Sequence, residues 1–97
     1  MITATYPAGI KPLGYQQLTV STTAVGLTVP AKAIRAVIGV EAQPIRWRDD
    51  GSDPTSAAGM LQKADTTIEL YDPQSINAFK AIRDDSSDAT LNISYYG

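Results

Sequence analysis

The chain has no cysteine and no histidine. The first absence excludes disulfides and thiolate metal sites. The second removes the commonest general base, the commonest metal ligand and the usual switch near neutral pH. No apolar stretch approaches the roughly 18 residues that a spanning helix needs, so no membrane partner is expected. The opening MITATYPAGIKPLGY lacks the charged start and apolar run of a secretory signal, which points to synthesis in a cytoplasm. A basic stripe is missing as well. Eight Lys and Arg are interspersed with ten Asp and Glu for a net charge of −2. Only Arg46 and Arg48 stand close together, and Asp49 and Asp50 follow at once. A protein that grips phosphates presents a basic face, so nucleic acid is not an expected partner.

At 97 residues, one domain is expected. A chain of this length buries only about 60–65% of the surface its unfolded form exposes, so association with copies or partners would supply stability that a modest core lacks. Residues 1–14 carry Pro7, Gly9, Pro12 and Gly14. Proline removes a backbone donor and glycine is entropically costly to order, so no regular element is expected there. Ile2, Tyr6, Ile10 and Leu13 still offer apolar anchors. The segment reads either as a frayed terminus that packs along its own domain or as an extended N-terminal arm that contacts another subunit, with 15–97 as the folded domain.

From Tyr15 onward the pattern is β. Gln17–Val20 and Val25–Val29 alternate polar and apolar residues, with Ser21-Thr22-Thr23 as a turn that would make them a hairpin or a broken pair. Residues 35–42 contain the β-branched Val37, Ile38 and Val40 and lack a helical period. Pro44 places a bulge or edge before Ile45–Arg48, where Ile45 and Trp47 share one face and Arg46 and Arg48 the other. Asp50-Gly51 is a strong turn signal, and Gly51 is expected at positive φ. Pro54 stiffens the loop that follows, and Gly59 allows close backbone approach. Short strands are expected at 59–62 and 66–70. Asp72-Pro73 has helix-opening chemistry, so a single helical turn is read at 73–77 and a strand at 78–83. Asp84–Asp88 reads as a solvated turn of hairpin length. Thr90–Tyr96 is the clearest strand, with Leu91, Ile93 and Tyr95 on one face. About eight short strands with no βαβ alternation make an all-β antiparallel sandwich or small barrel the expected fold.

No motif for catalysis, phosphate binding or metal binding is present, so no enzyme activity, cofactor or small-molecule substrate is expected. Asp49, Asp50 and Asp53 lack the ligand spacing of a calcium loop and are read as turn residues that bond nearby backbone N–H groups. A hydrolase built on two carboxylates needs a cleft for which a domain this small has little room. Trp47, Tyr95 and Tyr96 are the aromatics with positional meaning, as core or interface anchors. Trp47, sharing a face with Ile45, is expected to be buried. A sugar- or receptor-binding module would instead hold these aromatics exposed and coplanar.

Arg46-Trp47-Arg48-Asp49-Asp50-Gly51, followed by Pro54-Thr55 and Gly59-Met60, resembles a pattern in small structural proteins of tailed bacteriophage virions. Phe79-Lys80-Ala81-Ile82-Arg83 and the closing Ala89-Thr90-Leu91-Asn92-Ile93-Ser94-Tyr95-Tyr96 resemble the same family. The resemblance covers residues 35–97 and leaves 1–34 outside it. It implies a jelly-roll-like β-sandwich made in a bacterial host and carried on the phage particle. The role it implies is decorating or cementing the outer surface of the capsid, with the major capsid protein lattice and other copies of itself as partners. A head-tail or tail position is the alternative. The expected interface residues are Ile2, Tyr6 and Ile10 of the arm, with Arg46, Trp47, Arg48, Tyr95 and Tyr96. Asp50, Gly51, Pro54 and Gly59 are expected to shape the loop.

Overall fold

The computed structural model describes residues 10–97. The expectations placed on Ile2 and Tyr6, and on most of the arm, lie outside the described residues. The elements are β1 (Pro12–Val20), β2 (Val25–Gly26), β3 (Arg35–Glu41), β4 (Ile45–Arg48), β5 (Met60–Gln62), β6 (Thr67–Leu70), α1 (Pro73–Ala78), β7 (Lys80–Arg83) and β8 (Ala89–Tyr96). They form two four-stranded antiparallel sheets packed as a β-sandwich, ordered β1-β8-β3-β6 and β2-β7-β4-β5.

The pairings follow one rule. β1 pairs with β8, β2 with β7, β3 with β6 and β4 with β5. The chain therefore behaves as one long hairpin with its tip at the β4–β5 connection. Rolling that hairpin adds the β3–β8 and β4–β7 pairings and closes both sheets. Consecutive strands consequently lie in opposite sheets, except β4 and β5.

This topology decides one open sequence reading, in favour of a broken β1–β2 pair, and corrects another. Residues 21–24 do not close a β1–β2 hairpin, and Asp84–Asp88 do not close a β7–β8 hairpin; both segments cross between the sheets. Turn chemistry is the same in either case, because a polar run that reverses the chain says nothing of which partner the next strand will find. The crossings are tied to one another: Arg83 N donates to Ser21 O at 3.1 Å, and Asp84 N to Pro44 O at 3.1 Å. Asp84 is only partly solvated, since it also receives Arg46.

A further correction concerns the arm. β1 begins at Pro12, and Lys11 exchanges both backbone hydrogen bonds with Gly97, at 2.7 and 2.9 Å. Residues 11–14 thus belong to the sheet. An irregular register between Pro12 and Gly14 accommodates the residues that argued against a strand. Ile10, half-buried, lies just ahead of this pairing.

Alternation fills the core. Along β8, Ala89, Leu91, Ile93 and Tyr95 are buried while the residues between them are half-exposed. Ala36, Ile38 and Val40 of β3 and Ile68 and Leu70 of β6 do the same. From the other sheet come Ile45 and Ala81, and from the end of the sandwich Ile76 and Phe79. α1 is short because its work is local. Asp72 caps it by accepting from Gln74 N at 2.7 Å, Pro73 starts it, and it ends at Phe79, whose extended backbone begins the next strand.

Candidate functional site

The two broad faces of the sandwich differ. The outer face of the β2-β7-β4-β5 sheet carries the loop at 49–59. Arg46 and Lys80 point outward from β4 and β7 and hold it down. Arg46 Nη1 donates to Gly59 O at 3.2 Å, and Lys80 Nζ to Asp53 Oδ1 at 2.9 Å. Pro54 is fully buried under these contacts. Gly59 has φ +139°, and a Cβ on it would meet Pro54 Cβ and Trp47 O at 3.2 Å and Arg46 Cβ at 3.3 Å. Gly51 sits at φ +85° with open space around it. Asp50 accepts from Ser52 N at 3.3 Å, which closes the turn, and it receives Arg48 through two hydrogen bonds, at 3.0 and 2.5 Å. The hydrogen bond from Arg48 holds the Asp50 carboxyl below the usual carboxylate range, and Asp50 raises the Arg48 guanidinium in turn.

Arg46 and Arg48 were expected on a partner surface. Both guanidiniums are instead engaged within the chain, Arg46 also pairing with Asp84 at 2.8 Å. Asp49 accepts from Ser75 Oγ at 2.5 Å, which ties the start of the loop to α1. Among the described residues, no group of three or more Asp or Glu side chains is placed to hold a metal ion.

Trp47 and Tyr95 point inward. The Trp47 ring stacks on Phe79 with centroids 5.6 Å apart and 28° between planes, packed against the core but only partly buried. Its indole Nε1 is buried and has no hydrogen-bond partner among the described residues. Tyr95 was expected at an interface; at 2% exposure it is a core residue. Its hydroxyl donates to Gln16 Oε1 at 2.7 Å, and Gln16 in turn accepts from Thr28 N at 3.1 Å, so the polar tip is satisfied at the open end of the sandwich. A groove of about 310 Å³ opens beside this trio, lined by Leu13, Tyr15, Val29 and Pro30 among others.

Burial pushes the Tyr95 phenol up to about 12. The unfolded phenol titrates near 10. Between these values the unfolded chain loses a proton that the folded chain keeps, so stability is full below about pH 10 and falls as pH rises toward 12. Thermal melts across this range are expected to show the decline in the native chain and a shallower one in Tyr95→Phe. Parallel declines would assign the effect to other groups.

The outer face of the β1-β8-β3-β6 sheet is different. Its outward residues are Tyr15, Gln17 and Thr19 on β1, and Thr90, Asn92, Ser94 and Tyr96 on β8. β3 adds Arg35, Val37, Gly39 and Glu41, and β6 adds Thr67 and Glu69; none of these is buried. Tyr15 at one edge and Tyr71, just past β6 at the other, are each 64% exposed. Arg35 lies over the rings of Tyr71 and Tyr96, its Cζ 5.2 and 6.0 Å from their centroids, and pairs with Glu69 at 3.3 Å. Tyr71 OH donates to Glu69, which lowers the carboxyl and raises the phenol. Asn92 joins the strands, accepting from Tyr15 OH at 2.6 Å and Gln17 Nε2 at 3.1 Å and donating to Glu41 at 2.8 Å.

Of Trp47, Tyr95 and Tyr96, the last belongs to this face. Tyr15, Arg35 and Tyr71 were missed. Their signal was available, because each stands one residue from an inward position in an alternating strand: Gln16, Ala36 and Leu70. Neither family models, nor curated proteins, nor solved structures give a match to this chain.

Proposed function

We propose that this chain is a structural protein of a tailed-phage virion, docking on the assembled capsid lattice as a small homo-oligomer that decorates or cements the shell. The observation that carries the reading is the rolled-hairpin sandwich with one broad face tied down by its own loop and the other left open among the described residues. The strand order supports a jelly roll, since eight strands paired as two facing sheets in this order are how a rolled hairpin closes. The sequence pattern at 46–60 and 79–96 supports the phage resemblance. Packing supports the use, because a small sandwich offers a limited patch, and standard stable interfaces bury about 1,200–2,000 Å² in total. Several weak contacts made at once along a lattice raise the effective concentration and reach useful affinity.

The test is sedimentation of the purified protein with bare capsid shells and, separately, with unassembled capsid protein. Strong binding to shells and weak binding to free subunits is expected. Equal binding to both defeats a lattice-dependent site. Binding to neither, with density at the portal or tail of intact particles, moves the protein to a head-tail or tail position. A second reading, sugar or receptor binding, draws on the exposed Tyr15 and Tyr71 rather than on Trp47, whose ring is stacked on Phe79. A glycan array probed with the isolated protein tests it.

A further inference from the structure

We propose that the outer face of the β1-β8-β3-β6 sheet is the surface on which a second copy of this chain docks. The two copies are related by a two-fold axis lying in that face and parallel to its strands. The inference rests on the homo-oligomer part of the reading above and is independent of the shell.

Area selects the face. The molecule measures 41 × 32 × 17 Å, the short dimension fitting two sheets stacked about 10 Å apart. A standard interface takes about 800 Å² from each partner. A broad face supplies that, whereas a rim 17 Å deep barely does. Of the two broad faces, the other already carries the loop at 49–59 with Pro54 buried beneath it.

Complementarity selects the occupant and the axis. Cross-strand register places Tyr15, Ser94, Val37 and Glu69 in one row, and Gln17, Asn92, Gly39 and Thr67 in the next. Tyr96 and Arg35 stand opposite each other in a third. The proposed axis lays β1 of each copy over β6 of the other, and β8 over β3, with rows preserved. Tyr15 then meets Glu69, Ser94 meets Val37, Asn92 meets the gap left by Gly39, and Tyr96 meets Arg35. No like charges face one another. The Arg35–tyrosine stacking within each copy continues across the interface. Tyrosine and arginine are also the side chains that most often anchor protein interfaces.

Sedimentation equilibrium over a wide concentration range is expected to show the native chain passing from its monomer mass of 10.3 kDa to twice that value. Val37→Glu and Ser94→Lys, both at the centre of the face, are each expected to hold the chain monomeric at every concentration. Leu61→Lys, on the opposite sheet, leaves the dimer intact. Circular dichroism identifies any variant that fails to fold, and the other central variant then decides. Because the chain has no cysteine, cross-linking reads the axis directly. The Tyr15→Cys/Glu69→Cys double variant is expected to form a covalent dimer with a short bismaleimide, and neither single variant does. A native chain monomeric throughout, or a dimer that tolerates both central charges, overturns the interface. A dimer in which Tyr15→Cys alone cross-links overturns the axis. A monomer that still sediments with shells removes this interface and leaves lattice docking standing; a dimer that ignores shells does the reverse.

Discussion

Gly59→Ala is expected to lower the free energy of unfolding by about 2–5 kcal/mol, the sum of backbone strain and overpacking. The backbone at Gly59 has φ +139°, a region L side chains rarely adopt. Space is also lacking. The new methyl would stand 3.2 Å from Pro54 Cβ and from Trp47 O, and 3.3 Å from Arg46 Cβ. Pro54 is a buried ring pinned by its loop and Trp47 O belongs to a paired strand, so neither neighbour moves freely. Gly51→Ala is the control. It shares a positive φ, at +85°, but meets nothing within 4 Å, so only the conformational penalty of about 1–2 kcal/mol applies. Urea unfolding of both variants separates the two contributions. If Gly59→Ala is no worse than Gly51→Ala, the close packing of Pro54 on β4 is not what limits the site.

Trp47→Ala is expected to cost about 3–4 kcal/mol, toward the lower part of the range for large aromatics because the ring is only partly buried. Truncation leaves the Phe79 ring without its stacking partner at one end of the core. Trp47→Phe separates packing from polarity. It keeps an aromatic ring against Phe79 and removes an indole N–H that is buried without a partner among the described residues. An orphaned donor of that kind costs about 1–3 kcal/mol. The loss of ring area and the relief of the donor oppose each other, so Trp47→Phe is expected within about 1 kcal/mol of the native chain. A phenylalanine variant as unstable as the alanine one would mean that the stacking carries little and the indole N–H is in fact satisfied.

The sequence is a good guide to which residues form strands and which way they face. Period-2 alternation is local, and it grouped Leu91, Ile93 and Tyr95 on one face, which is the face the core takes, without any knowledge of their partners. The helical turn was legible for the same reason, since Asp72-Pro73 is a capping signal that depends on neighbours only. Pairing was not legible. A turn such as 21–24 looks alike whether the next strand stays in its sheet or crosses to the other, and the deciding contacts lie far along the chain. The start of β1 was missed because Pro12 and Gly14 argue locally against a strand, while Gly97, Tyr96 and Tyr95 hold that stretch in place from the other end of the chain. The candidate surfaces divide on the same line. Arg46 reads as an interface anchor in sequence because Asp84 and Gly59, which occupy it, are distant in the chain, whereas Arg48 is held by Asp50 only two residues on. Tyr15 and Tyr71 lie 56 residues apart in sequence and share a face only because β1 and β6 are the two edges of one sheet.

The rolled hairpin also governs when this chain can fold. β8 is the interior strand between β1 and β3, and its pairing with β1 joins Pro12 to Tyr96. Until Ala89–Tyr96 has left the ribosome, β1 has no partner in its sheet and β3 has lost one of its two. A nascent chain therefore cannot complete the β1-β8-β3-β6 sheet from its first residues; the pairings open to it before β8 are the local β4–β5 tip and then β3–β6, β4–β7 and β2–β7. Contacts this distant in sequence close slowly and leave strand edges exposed while they do. Folding of this protein thus waits on the emergence of β8, and its most vulnerable period is the interval between translation of β1 and arrival of β8.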